Sequence, residues 1–215
     1  MASRACSQPP TLTHSLSLSL SLTHTHTHTH TLAQAAGVDG VSAAAVVPTY
    51  DLSCPHCPWG SIHPTDKEDV GARIALQLRV LVRKDPRVAT VAGPTAVKAS
   101  ATAGPANTSA VSVQFTGGAE PFALRPTRNC TACCAVGGSD FDVSVDGGQL
   151  WVMGNSPGRM VSNSVVTFAV NLTLNTSTKA LVRYTAGRGF PQCAVVNAQA
   201  LPAFPFQMEV QVAAR

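Results

Sequence analysis

The sequence predicts a mainly β protein: an antiparallel β-sandwich preceded by one amphipathic helix. Three observations carry this prediction. Beyond Pro86 the chain alternates apolar and polar residues in short runs broken by Gly, Pro, Asn and Asp. Only 12% of its 215 residues are charged, and small and β-branched residues are abundant. One helical period stands alone, over residues 65–83.

The first 45 residues form a low-complexity leader. "SLSLSLSL" (15–22) and "THTHTHTH" (23–30) have a strict two-residue period. A repeated CT dinucleotide read in triplets gives Ser-Leu and a repeated CA gives Thr-His, so both blocks resemble translated microsatellite DNA. A His-rich tract can also bind a transition metal, and Ala33-Gln34-Ala35 has the small-x-small form of a signal-peptide cleavage site. Fold expectations start after this leader.

Residues 46–85 hold a loop and the helix. In "CPWGSIHPTDKEDVG" (57–71), Pro64 keeps His63 extended at the end of a Gly/Pro-rich turn. Thr65 and Glu68 form a capping box, and Asp66 and Asp69 complement the helix dipole. Val70, Ile74, Leu78 and Leu81 make one apolar stripe, and Pro86 ends the pattern. On these residues alone, His63 reads as closing the turn by hydrogen bonding ahead of serving as a catalytic base.

Residues 86–215 read as the sandwich. "SAVSVQF" (109–115), "DFDVSVD" (140–146), "QLWVMG" (149–154), "SVVTFAVNLTL" (164–174) and "ALVRYTA" (180–186) each form a strand, with a hairpin turn at Asp146-Gly147-Gly148. Several short strands without helices between them argue against a parallel sheet. "GNSPG" (154–158) fits the Gly-x-Ser-x-Gly nucleophile elbow, but Pro157 has no N–H to stabilise an oxyanion, so it reads as a strand-to-strand loop.

A net charge of +4 spread along the chain suggests neither nucleic acid nor an anionic membrane as partner, and no apolar run approaches the roughly 20 residues that span a bilayer. Cys54-x-x-Cys57 and Cys130-x-x-Cys133 have zinc-ligand spacing, while Cys6, Cys134 and Cys193 complete the set. Disulfides are the better fit. They fit the Asn-x-Ser/Thr sequons at Asn107, Asn129, Asn171 and Asn175, because glycosylation and disulfides share an exported compartment, secreted or lysosomal/vacuolar.

Two motifs carry a family resemblance. "DLSCPHCPWGSIHPTDKEDVGARIAL" (51–76) resembles the segment of sialate O-acetylesterases that runs through Gly-x-Ile-His-Pro-x-Asp-Lys into the last helix of their catalytic domain. "RYTAGRGFPQCAVVNAQALPAFPF" (183–206) is similar to that family's C-terminal Arg-Tyr, Asn and Leu-Pro-Ala-x-Pro-Phe signature. The resemblance covers about residues 50–208 and implies an SGNH-type carbohydrate esterase, which removes O-acetyl groups from sialic acid or related sugars without a cofactor. The general base falls on His63, and Asp51 aligns with the family's Asp-Leu. Gly60 stands where SGNH hydrolases usually carry the orienting aspartate, and no segment before residue 51 resembles their Gly-x-Ser nucleophile block.

It follows from the resemblance that the helix is the tail of a truncated α/β domain, with its stripe poorly covered, and that the chain alone is inactive. A non-catalytic sandwich binding carbohydrate through Trp59, Trp151 or Tyr184 is the competing expectation, and a zinc-stabilised interaction module is the third.

Overall fold

A computed structural model describes residues 37, 41, 44–52, 66–88, 91–126, 139–156, 158–177, 179–185 and 193–213. Among them ten strands follow in order: β1 (Thr95–Ala103), β2 (Ser109–Thr116), β3 (Ala123–Pro126), β4 (Phe141–Ser144), β5 (Val152–Met153), β6 (Arg159–Met160), β7 (Val165–Val170), β8 (Leu181–Tyr184), β9 (Cys193–Val196) and β10 (Phe206–Val212). A 3-10 turn, Tyr50–Leu52, and one helix, α1 (Lys67–Leu81), precede them.

Strand β2 shows how alternation becomes a sheet. Val111, Val113 and Phe115 face the core and are buried, whereas Gln114 and Thr116 are exposed. The period of two puts every second side chain on one face. The same logic gives β7, where Val166, Phe168 and Val170 are buried.

Eight strands join in the order β5-β4-β8-β10-β1-β2-β7-β6, and β3 pairs with β9 as a separate ribbon. All but one of the ladders are antiparallel; β1 and β10 run parallel, with Ala99 beside Val210 and Ala101 beside Val212. The fully antiparallel expectation is corrected here. Alternation within a strand says nothing about a pairing between the first and last strands of the domain.

β10 links the two halves of the large sheet. Its start, Phe206 to Glu209, pairs with β8, and its end pairs with β1. The sheet therefore curls, and its inner faces meet. Phe141 of β4 stacks on Phe168 of β7 with centroids 4.8 Å apart, and Phe115 meets Phe206 edge to face at 5.9 Å. Burying such aromatic and branched side chains is the main favourable term of the fold.

The predicted hairpin forms: β4 and β5 pair across the Asp146-Gly147-Gly148 turn, where both glycines take positive φ. Asp146 holds the turn by accepting from the backbone N–H groups of Gln149 and Leu150, each at 3.0 Å. Those bonds pull its carboxyl below the usual carboxylate range, led by the one from Leu150 and helped by Ser144.

The helix starts one residue later than the capping-box reading, because Asp66 is the N-cap: its Oδ1 accepts from the Asp69 N–H at 2.9 Å. Thr65 lies outside the described residues. Of the apolar stripe, Val70 is buried and Ile74, Leu78 and Leu81 are half-buried. The stripe is thus better covered than expected. The most deeply placed helix positions include two polar residues, Arg73 and Gln77, which are long enough to reach hydrogen-bond partners in the neighbouring chain.

Candidate functional site

The site grows from Tyr50, which belongs to the sandwich core although it precedes the first strand by 45 residues. Its hydroxyl donates to the Ala203 carbonyl at 2.7 Å and lies 3.5 Å from the Tyr184 hydroxyl. Tyr184 donates to the Cys193 carbonyl at 3.2 Å and accepts from the Val195 N–H at 2.9 Å. Burial pushes both phenols up, so both stay protonated donors; for Tyr50 the neighbouring Tyr184 adds to the effect, and for Tyr184 the charge of Asp140 does.

The next residue, Asp51, is buried and accepts both arms of the Arg73 guanidinium, Nη1 on Oδ1 and Nη2 on Oδ2, each at 2.7 Å. Arg73 also donates to the Pro48 carbonyl at 2.8 Å. The planar fork of arginine matches a carboxylate in this bidentate way. Gln77, one turn on, donates to the Val91 carbonyl at 2.8 Å. Helix α1 is held to the segment that carries Asp51 and to the entry of β1 through these bonds.

Of the second motif, residues 183–185 and 193–206 are described. Arg183 donates from Nε to Asp142 at 2.9 Å and lies over the Trp151 ring, 4.2 Å from its centroid. Asn197 closes a turn by accepting from the Gln199 and Leu201 N–H groups at 3.0 and 2.9 Å, and it donates to the Ala92 carbonyl at 3.2 Å. Gly93 runs so close under the Pro202 carbonyl that a Cβ would overlap it, which is why the position is glycine.

Between these parts lies a cleft of about 180 Å³. Asp51 and Leu52 line it from the 3-10 turn, Asp69 and Arg73 from α1, and Arg125, Ala194, Val196 and Ala200 from the β3–β9 side. Its walls carry two acidic and two basic side chains, and one basic group, Arg73, is neutralised by Asp51. Arg125 is exposed at its edge. Residues of both sequence motifs therefore meet at one cleft.

Of the two predicted catalytic residues, Asp51 lies on this cleft and His63 lies outside the described residues. Ser156, the serine of the elbow-like pentapeptide, sits between β5 and β6 and accepts the Ala169 N–H at 3.0 Å, so its surroundings are those of a strand-to-strand loop. Among the aromatics considered for sugar stacking, Tyr184 has no exposed surface, Trp151 is half-buried beneath Arg183, and Trp59 lies outside the described residues. Cys193 is disulfide-bonded, and the other six cysteines lie outside the described residues. No group of three or more metal-ligating side chains gathers among the described residues.

The residue that sequence reasoning missed is Arg73. It falls off the apolar stripe and so reads as a polar-face position, and no local signal marks its pairing with Asp51.

No protein-family model matches the chain, and no curated protein matches it. Among solved structures it is similar to a carbohydrate acetylesterase from Xanthomonas citri, at 22% identity and a TM-score of 0.47, covering 77% of this chain and 32% of that one. It is also similar to the S-layer protein rSbsC, at 13% identity and a TM-score of 0.38, over 63% of this chain and 16% of that one. The Ig7 domain of Dscam1 matches at 8% identity and a TM-score of 0.24, over 56% and 98%. The chain thus spans about a third of the length of the acetylesterase.

Proposed function

We propose that this chain supplies the histidine base and the accessory sandwich of a carbohydrate esterase of the sialate O-acetylesterase type, acting on O-acetylated sialic acid or related sugars. One observation carries the reading: the two motifs that resemble that family, some 130 residues apart in sequence, line one cleft together and are tied by the bond from Tyr50 to Ala203. His63 falls between Leu52 and Asp66 in the sequence, outside the described residues.

In this reading His63 takes the proton from a serine nucleophile and returns it to the leaving sugar hydroxyl. Asp51 orients it. A carboxylate accepts about four hydrogen bonds, so the two from Arg73 leave room for an imidazole N–H. Residues 1–215 contain no segment resembling the family's serine block, and a base without a nucleophile and oxyanion donors does not hydrolyse esters. The chain alone should therefore turn over 4-nitrophenyl acetate no faster than its His63→Ala variant.

The positive test is complementation. The chain is mixed with the serine-bearing N-terminal part of an esterase of this type, and acetate release from an O-acetylated sialic acid is measured. Release that depends on both parts and disappears with His63→Ala is the expected result. No release, or release that His63→Ala leaves intact, would overturn the assignment.

A further inference from the structure

Three of the four sequons converge in space, although Asn107 lies 64 residues before Asn171, with Asn175 four residues further on. Asn107 lies in the turn between β1 and β2 with φ +59°, and Asn171 and Asn175 follow β7. All three are exposed. The strands bring them together: Thr173, the hydroxyl residue of the Asn171 sequon, donates to the Asn107 Oδ1 at 3.3 Å. Ser109, the hydroxyl residue of the Asn107 sequon, donates to the Leu172 carbonyl at 2.8 Å and accepts from the Leu174 N–H at 3.0 Å.

The amide oxygens are engaged in local bonds: Asn171 Oδ1 accepts from Asn155, and Asn175 Oδ1 accepts the Ser177 N–H and hydroxyl. Glycan transfer uses the other atom, Nδ2. That atom forms a bond to the anomeric carbon of a polyprenyl-diphosphate-linked oligosaccharide, the anomeric C–O bond breaks, the diphosphate leaves and the amide gives up one proton. The disulfide at Cys193 belongs to the same oxidising, glycosylating compartment.

We infer that Asn107, Asn171 and Asn175 form one N-glycosylated end of the sandwich, opposite the cleft. β2 spans the distance. Its first residue, Ser109, pairs with Val170 at the sequon end, and beyond its last residue, Thr116, the Ala119 carbonyl accepts from Ala198 in the Asn197 turn beside the cleft. Seven residue steps at about 3.3 Å make the two ends roughly 23 Å apart. Bulky, hydrated glycans exclude protein partners from the far end and leave the Asp51 end open for docking.

The test is chemical and needs no variant. The full chain is secreted from eukaryotic cells behind an added signal peptide, then treated with peptide N-glycosidase in heavy-oxygen water, which marks each formerly glycosylated asparagine as labelled aspartate. Peptide mass spectrometry reads the sites. Label at two or three of Asn107, Asn171 and Asn175 is the expected result; label at one or none overturns the proposal. Substituting Gln for the asparagine at any labelled site should remove one glycan's mass from the secreted protein.

Discussion

The hydroxyl of Tyr50 donates to the carbonyl of Ala203 at 2.7 Å, joining residues 153 positions apart. This bond sits inside the hydrophobic core, where water cannot replace it. It anchors the Asp51 segment to the Leu-Pro-Ala end of the second motif, and the neighbouring Tyr184 ties β9 to the same point.

Removing either hydroxyl should therefore cost stability without creating a cavity. Tyr50→Phe leaves the Ala203 carbonyl short of its donor and should destabilise by about 1 to 3 kcal/mol. Tyr184→Phe strands the Val195 N–H and a bond to Cys193, so its loss should be at least as large. Urea unfolding midpoints at constant slope measure both, and a midpoint unchanged in Tyr50→Phe would mean that the bond contributes nothing.

Arg73→Met should be the more damaging change. It keeps the length and apolar stem of the side chain but leaves the Asp51 carboxylate buried without its cation, a loss of about 3 to 5 kcal/mol. The double variant Asp51→Asn with Arg73→Met should recover part of it, because the uncompensated charge is gone. A double variant as unstable as Arg73→Met alone would show that packing, not charge, sets the cost.

Acid should weaken the β4–β5 hairpin. Asp146 has a folded carboxyl pKa held below its unfolded value, first by the Leu150 N–H and then by Ser144. Its contribution is thus fully present above the ordinary carboxylate value of about 3.9 and is lost as pH falls below that, through the folded value. Asp146→Asn keeps the turn acceptor but cannot titrate. Stability measured from pH 6 down should fall less steeply in that variant than in the parent, and identical acid limbs would count against the assignment.

Thiol chemistry should report the disulfide directly. The sequence has seven cysteines and Cys193 is bonded, so one bridge within the chain leaves at most five free thiols. Titration of secreted, unreduced protein in denaturant should find five or fewer; seven would contradict the bridge.

The sequence by itself determined the mainly β class, five of the strands, the hairpin at Asp146-Gly147-Gly148 and the helix, because each rests on a local signal: a period of two, a turn residue, a period near 3.6. It did not reveal β1, whose "TAVKASATA" is mostly small residues with little contrast between faces, or the two-residue β6. Nor was β10 expected, although Phe206, Met208 and Val210 alternate with polar residues; it follows a Pro-rich run, and only Phe206 belongs to the second motif. Only the tertiary structure decided that β1 and β10 lie parallel, that Arg73 turns inward to Asp51, and that Tyr50 enters a core whose first strand starts 45 residues later. Periodicity ranks side chains by average polarity, so it assigns an arginine to water. A buried bidentate partner reverses that preference, and such partners meet only once the chain has folded.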